Sequence, residues 1–492
     1  MKRHYDLTGA DALTHYYKFI SIALALLLAA LLVPMLLIAC YDVPSADDYS
    51  FGARAHTAFE AGGSFFAAIK AAFTEARIAH STWQGTFSAI FLMALQPAVF
   101  GESLYALTAP IMLCALIAGC YLFCSFLFGR VFGAGRHLGG CVAALLCIMF
   151  TQLPLSSVQG FYWYNGAVYY TFFYGLTLAA LALGIALLYK GGAARQAGLA
   201  LLLFFIGGGN YVTMLTLLII GASAVGLLLI MRDARYKRFI LPLAALATAA
   251  ALSMTAPGNA VRQANYTVTP NAIEAVLLSF ESAASYFASW TKLPQLGMLA
   301  LMAALMWPMA VRAEFSFRFP ALVTLWSWCL YSAMFCPPIY AMGDAGDYRL
   351  LNIIYFTYLL ALSVNLFYWM GWLAKRLHRR KANVNLRAYF ASALTGGAVM
   401  AVCMLLAVHM GQSLTSVSAL YSLRTGEAAQ YRACAAERYE ILHNESIKDA
   451  VLPGFPVQPY VLYYDDITFS PTDWRNLALQ TYYEKSSVVI SG

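Results

Sequence analysis

The sequence predicts an all-α polytopic membrane protein of about eleven transmembrane helices, closed by a small extracytoplasmic C-terminal α/β segment. Three observations carry that prediction. Hydrophobic residues make up 61% of the 492 and charged residues 11%, far below the roughly 25% charge of a soluble domain. The apolar residues fall in runs of about twenty, the length that crosses a bilayer. The charges between those runs alternate in composition, so that one set of loops is basic and the other is not.

Taken in order, the expected spans are 19–40, 104–128, 139–155, 167–189, 196–207, 211–231, 239–255, 294–311, 319–337, 350–374 and 388–410. The run 196–207 is short, and Gly207-Gly208-Gly209-Asn210 follows it at once, as in a half-helix or a tight re-entrant turn. With the N-terminus in the cytoplasm, the inner loops hold most of the 31 Lys and Arg, from Lys2 and Arg3 through Arg130, Arg136, Arg235 and Arg238 to Lys375, Arg379, Arg380 and Lys381. They hold only Asp6, Asp11, Asp233 and Glu314 among the acids. This is the positive-inside pattern, and losing one span would invert every later loop. The net charge of +8 is therefore a matter of sidedness, and no nucleic-acid partner is expected. The ten cysteines lie mostly within apolar runs, without metal-ligand spacing, and read as structural thiols. Leu37-Ile38-Ala39-Cys40 has the form of a lipoprotein cleavage site, but the run before it is longer than a signal h-region and suits an uncleaved helix.

The division that follows is a membrane domain over 1–410, with an outer loop at 41–103, and an extracytoplasmic segment over 411–492. The outer segments are the chemically diverse ones, so function is expected there. Pro44-Ser45-Ala46-Asp47-Asp48-Tyr49-Ser50 lies just past the first apolar run. Two adjacent carboxylates at a membrane edge are hard to account for by packing, and Asp47 and Asp48 are the candidate catalytic groups. On an extended segment the two would face opposite sides, one catalytic and one supporting. Phe59, Phe65, Phe66, Ile69 and Phe73 then recur on one side of a helical pattern suited to the interface plane. His80-Ser81-Thr82-Trp83-Gln84-Gly85 and an apolar stretch after it suggest a second, re-entrant element.

Gln159 to Gly166 supplies Trp163, whose face suits a sugar's C–H surface, and Asn165, whose amide suits hydroxyls. Tyr169, Tyr170 and Tyr174 beyond them read as interfacial anchors. Ala256-Pro257-Gly258-Asn259 makes a sharp turn that delivers Arg262, and Gly343 to Arg349 ends in a second arginine at a span's lip. A guanidinium fork suits phosphate oxygens; Asp344 or Asp347 is the alternative partner of either arginine. In the tail, 412–447 has helical spacing, Pro453-Gly454-Phe455-Pro456 breaks it, and Tyr460 to Tyr464 is strand-prone.

These pieces in this order resemble the GT-C superfamily of membrane glycosyltransferases, and within it the DUF6056 type of bacterial proteins. The resemblance rests on Ser45 to Ser50, Trp83-Gln84-Gly85, Trp163 to Gly166, Ala256 to Asn259 with Arg262, and Asp466-Ile467 through Trp474-Arg475-Asn476. Relatives carry an arginine soon after the Trp-Gln-Gly element, where this chain has Thr86 and Phe87. The resemblance implies a multi-pass enzyme of the bacterial cytoplasmic membrane. It would transfer a sugar from a polyprenyl-phosphate donor to a cell-envelope glycan, lipid or protein acceptor. Asp47 or Asp48 would be the base, and Arg262, Arg349, Trp83, Gln84, Trp163, Asn165, Asn259 and Tyr49 would bind substrate. The resemblance fixes no cofactor; one of the two carboxylates could hold a divalent cation, Mg or Mn. A polymerase or ligase of lipid-linked glycans is the nearest alternative, and a transporter or flippase the next. The span interiors are nearly free of ionisable groups, which disfavours transport.

Overall fold

The computed structural model describes residues 7–266, 269–377, 386–411 and 413–491. Lys2, Arg3, Asp6, Arg379, Arg380 and Lys381 lie outside them. The chain is an all-α, multi-pass membrane protein. Among the described residues, nine helices are long and apolar enough to cross a bilayer, from Ala12–Tyr41 to Arg387–His409. Two further apolar helices, Arg136–Gln152 and Ala193–Gly207, are 17 and 15 residues long. At about 1.5 Å per residue each falls short of a hydrocarbon core of roughly 30 Å. Arg136–Gln152 is buried along almost its whole length, so its neighbours rather than lipid surround it. Ala193–Gly207 forms a hairpin with Tyr211–Ile230, and the Asn210 side chain caps the second arm by accepting from Thr213 N at 2.9 Å.

The stretch after the first helix, α1 (Leu7–Ile38), holds three helices. These are α2 (Asp47–Glu60), α3 (Phe65–Thr82) and the short α4 (Phe87–Met93). Asp47 and Asp48 sit in the first turn of α2, where the helix dipole favours negative charge. The extended backbone expected there is therefore absent, and the two side chains diverge by about 100° around a helix instead. Phe59 and Phe65 do not share one helix, because Gly62 and Gly63 break the chain between α2 and α3. Alanines 68, 72, 76 and 79 form the buried stripe of α3, and Phe65, Phe66 and Phe73 stand exposed on it.

Two sequence motifs prove to be one joint. Gly85 and Gly258 lie where α3's end meets the helix Pro257–Gln263, and both approaches exclude a side chain. A Cβ on Gly85 would come within 1.9 Å of Ser253 O, and one on Gly258 within 2.5 Å of Trp83 N. The helix Ala272–Trp290 was not expected. Its signal is present in hindsight: Asn271 caps Ile273 N and Glu274 N at 3.0 Å, and Ile273, Val276, Leu277 and Phe280 follow at helical spacing.

The C-terminal segment contains helices Thr415–Thr425, Glu427–His443 and Trp474–Tyr482 and two short strands, β1 (Asp449–Leu452) and β2 (Ser487–Ile490). The strands pair in parallel, Asp449 opposite Ser487, with Trp474–Tyr482 inside the crossover. Tyr460 to Tyr464 is not a strand. Leu462 N and Tyr463 N both donate to Pro459 O, at 3.0 and 2.9 Å, which turns the chain. The segment packs on the membrane part through Tyr482 against Tyr49, with ring centroids 5.2 Å apart, and through Tyr483 donating to Glu102 at 2.9 Å.

Candidate active site

The starts of α2 and of Tyr348–Arg376, the end of α3, the segment 163–170 and the helix Pro257–Gln263 converge on one cavity of about 300 Å³. Asp47, Trp83, Gln84, Trp163, Asn165, Arg262 and Arg349 all line it. These come from five separate stretches of sequence. Ser50, Phe51, Met93, Tyr169 and Tyr170 complete the wall. Tyr169 and Tyr170 are more than nine-tenths buried, so they face inward rather than anchoring at a lipid interface. Tyr174 is buried as well, in contact with Thr357.

The two carboxylates have different surroundings. Asp47 is partly buried and makes no hydrogen bond or ion pair among the described residues. Burial pushes its carboxyl above the usual carboxylate range, the nearby Arg349 and Arg262 charges oppose that, and Asp465 adds to it. Asp48 is fully buried and fully engaged. Its Oδ1 accepts from Asn165 N at 3.0 Å, and its Oδ2 accepts from Ser45 N at 3.0 Å and from the Tyr105 hydroxyl at 2.6 Å. Burial pushes its carboxyl up to about 7 against the pull of those bonds, with the Asp47 charge adding to the rise. Asp48 thus ties the start of α2 to the Trp163–Asn165 segment and does not reach the cavity. Ala46, just before the pair, is held at φ 49°, a strained position for a residue with a Cβ.

Arg262 donates to the Gln84 side chain and lies over the Trp83 ring, 5.6 Å from its centroid. Trp83 is 40% exposed and offers an open aromatic face. Arg349 pairs with Asp347 at 2.8 Å and lies over Trp163, 4.9 Å from its centroid. Two guanidinium groups and one carboxylate thus stand on the wall, with Asp347 paired to one of the guanidinium groups from outside it. Trp163 is 2% exposed and stacked on Tyr464 with centroids 3.7 Å apart. It therefore presents no free face as a sugar platform, whereas the Trp83 side chain is partly open. Both amide atoms of Asn165 are buried without a hydrogen-bond partner among the described residues.

Two expected substrate contacts lie elsewhere. Asn259 accepts from Gly85 N and the Tyr211 hydroxyl at 3.0 and 2.8 Å and donates to Ser253 O at 2.8 Å. Its capacity is spent holding the joint beneath Trp83 and Gln84. Tyr49 faces a void of about 40 Å³ against the C-terminal segment, because its helix turns it away from Asp47. A divalent cation has no built site here. Asp47 is the single carboxylate on the wall and faces two arginines, and among the described residues no three His, Cys, Asp or Glu side chains converge.

The raised carboxyls set a pH dependence. Between about pH 4 and the Asp48 value of about 7, the folded protein holds protons that the unfolded chain releases, so stability falls as pH rises. Asp47, and the buried Asp42, whose carboxyl burial pushes well above the usual range, act in the same direction. Thermal unfolding in detergent should show the melting temperature falling across that window; a flat or rising profile would contradict these environments.

No family model matches the chain, and no curated protein matches its sequence.

Proposed function

We propose that this chain is a GT-C-type membrane glycosyltransferase that moves a sugar from a polyprenyl-phosphate donor to an acceptor hydroxyl. The reaction would take place at the outer face of the bacterial cytoplasmic membrane. One observation carries the reading: an unpartnered carboxylate, Asp47, shares a cavity with two guanidinium groups, Arg262 and Arg349, at the ends of apolar helices. If the two shorter helices cross a thinned or tilted core as well, the crossings number eleven; an odd number puts the two termini on opposite faces, and the basic inner loops favour an inner N-terminus with the cavity and C-terminal segment outside.

In this mechanism the donor's phosphate lies against Arg262 and Arg349, and its lipid chain runs between spans. The acceptor oxygen attacks the anomeric carbon while the bond from that carbon to the phosphate oxygen breaks. The acceptor's proton passes to Asp47, and the departing electron pair settles on phosphate oxygens already faced by two fixed charges. Trp83 packs on the sugar and Gln84 holds Arg262 in place. Asp48 touches no substrate and positions Asp47 and Asn165. The sugar arrives already activated by its phosphate, so no nucleotide is used outside the cell.

Arg262→Ala and Arg349→Ala test the phosphate assignment. A lost charged hydrogen bond costs about 1.5–3 kcal/mol, so each should raise the KM for the lipid donor by roughly 10-fold or more while leaving the acceptor's KM unchanged. Unaltered donor saturation in both variants would refute the assignment.

A further inference from the structure

The C-terminal segment lines none of the cavity wall but stacks Tyr464 behind one wall residue, Trp163, and the residues around that contact are pinned. Asp465 accepts from Arg475 at 2.9 Å, and Arg475 also grips Asp473. Asp466 takes both arms of Arg438, at 2.7 and 2.8 Å, and Arg438 donates to Pro453 O as well. Asn476 holds Thr468 through both its amide atoms. Asp465 O in turn accepts from the Ser45 hydroxyl at 2.9 Å, and Ser45 O accepts from Trp163 Nε1 at 3.1 Å. The residue carried by this rigid loop toward the cavity is Tyr464, parallel to Trp163 within 11°. Arg349 lies over the same indole. Its ion-pair partner Asp347 is 62% exposed and holds the guanidinium only weakly against water.

We propose that Tyr464 is a positioning residue for the reaction: through Trp163 it fixes the guanidinium of Arg349 for the donor's phosphate, which makes the C-terminal segment part of the active site. This rests on the donor reading above. The contact is ring on ring, and the phenol stays neutral because burial pushes its hydroxyl up to about 12. The ring presses on the indole, and the indole's π face holds the guanidinium where an exposed carboxylate alone would let it swing. The paired aspartates, the two arginines and Asn476 are then the mount for one side chain. That gives a purpose to the Asp466-Ile467 and Trp474-Arg475-Asn476 elements, which touch no substrate.

A double-mutant cycle tests this in the full-length chain in detergent, with binding of a short-chain polyprenyl monophosphate as the readout, so the sugar need not be known. Tyr464→Ala should weaken binding about 3- to 10-fold, and Tyr464→Phe should bind within about twofold of wild type, because the ring alone is required. In an Arg349→Ala background, Tyr464→Ala should cost nothing further. Trp163→Phe, which thins the middle layer, should show the same dependence on Arg349. A general loss of folding would multiply with Arg349→Ala instead of vanishing beside it. Multiplying losses, or full binding by Tyr464→Ala, would overturn the inference while leaving the donor reading intact. Failure of the wild-type protein to bind the lipid would overturn both.

Discussion

Asp47→Asn is expected to abolish sugar transfer in a protein that still inserts and folds. The change is isosteric, and the carboxylate has no hydrogen-bond or ion-pair partner to lose among the described residues. Stability should therefore not fall, and above the carboxyl's own titration it should rise, because the amide brings no charge to desolvate. What disappears is the single carboxylate on the cavity wall among the described residues, the proposed acceptor of the proton, an effect on the order of 100- to 10,000-fold. The comparison that matters is kcat measured beside the unfolding temperature: the first should collapse while the second holds or rises. The ionisation of Asp47 also sets an opposition of slopes. Activity should rise with pH as this carboxyl, lifted by burial, loses its proton, over a range in which stability is falling. An Asp47→Asn variant with wild-type turnover would remove Asp47 from the chemistry.

Asp48→Asn is expected to do the reverse and strike the fold first. Three donors converge on this carboxylate: two backbone N–H groups and the Tyr105 hydroxyl. An amide brings one acceptor oxygen and two N–H bonds of its own, so at least one donor meets another donor in a fully buried site. Breaking such a buried, charge-assisted set costs about 2–5 kcal/mol. A lowered unfolding temperature should come with loosened exchange protection at Asn165 N and Ser45 N. Activity should fall with it, because the start of α2 carries Asp47. Unfolding at the wild-type temperature would mean that the network is not holding the site together.

The sequence separates the two carboxylates into one catalytic and one supporting, but which is which is not legible there, and the reason is local geometry. Two aspartates in an extended loop present opposite faces, whereas in a helix's first turn one enters the cavity wall and the other the packed interior. The long apolar helices were legible because hydropathy over about twenty residues is a strong one-dimensional signal. The sites of Arg262 and Arg349 were legible because a span's end is a fixed place in space. Asn259 misled because its sequence neighbours Gly258 and Arg262 belong to the joint and to the cavity respectively, and only coordinates show that its amide serves the joint. An aromatic near a span's end has no direction in the sequence, so Tyr169 and Tyr170 read there as anchors although both line the cavity. Tyr464 was invisible as a neighbour of Trp163, because the contact joins residues about three hundred positions apart through a turn that begins at Pro459.

The account depends on one lipid phosphate meeting both arginines beside Asp47. The most direct measurement is a cryo-EM map of the protein saturated with a polyprenyl monophosphate. The account predicts phosphate density between Arg262 and Arg349, with Asp47 facing the space where a sugar would extend and the polyprenyl chain leaving between helices. Lipid density bound elsewhere, with this cavity empty at saturation, would contradict it.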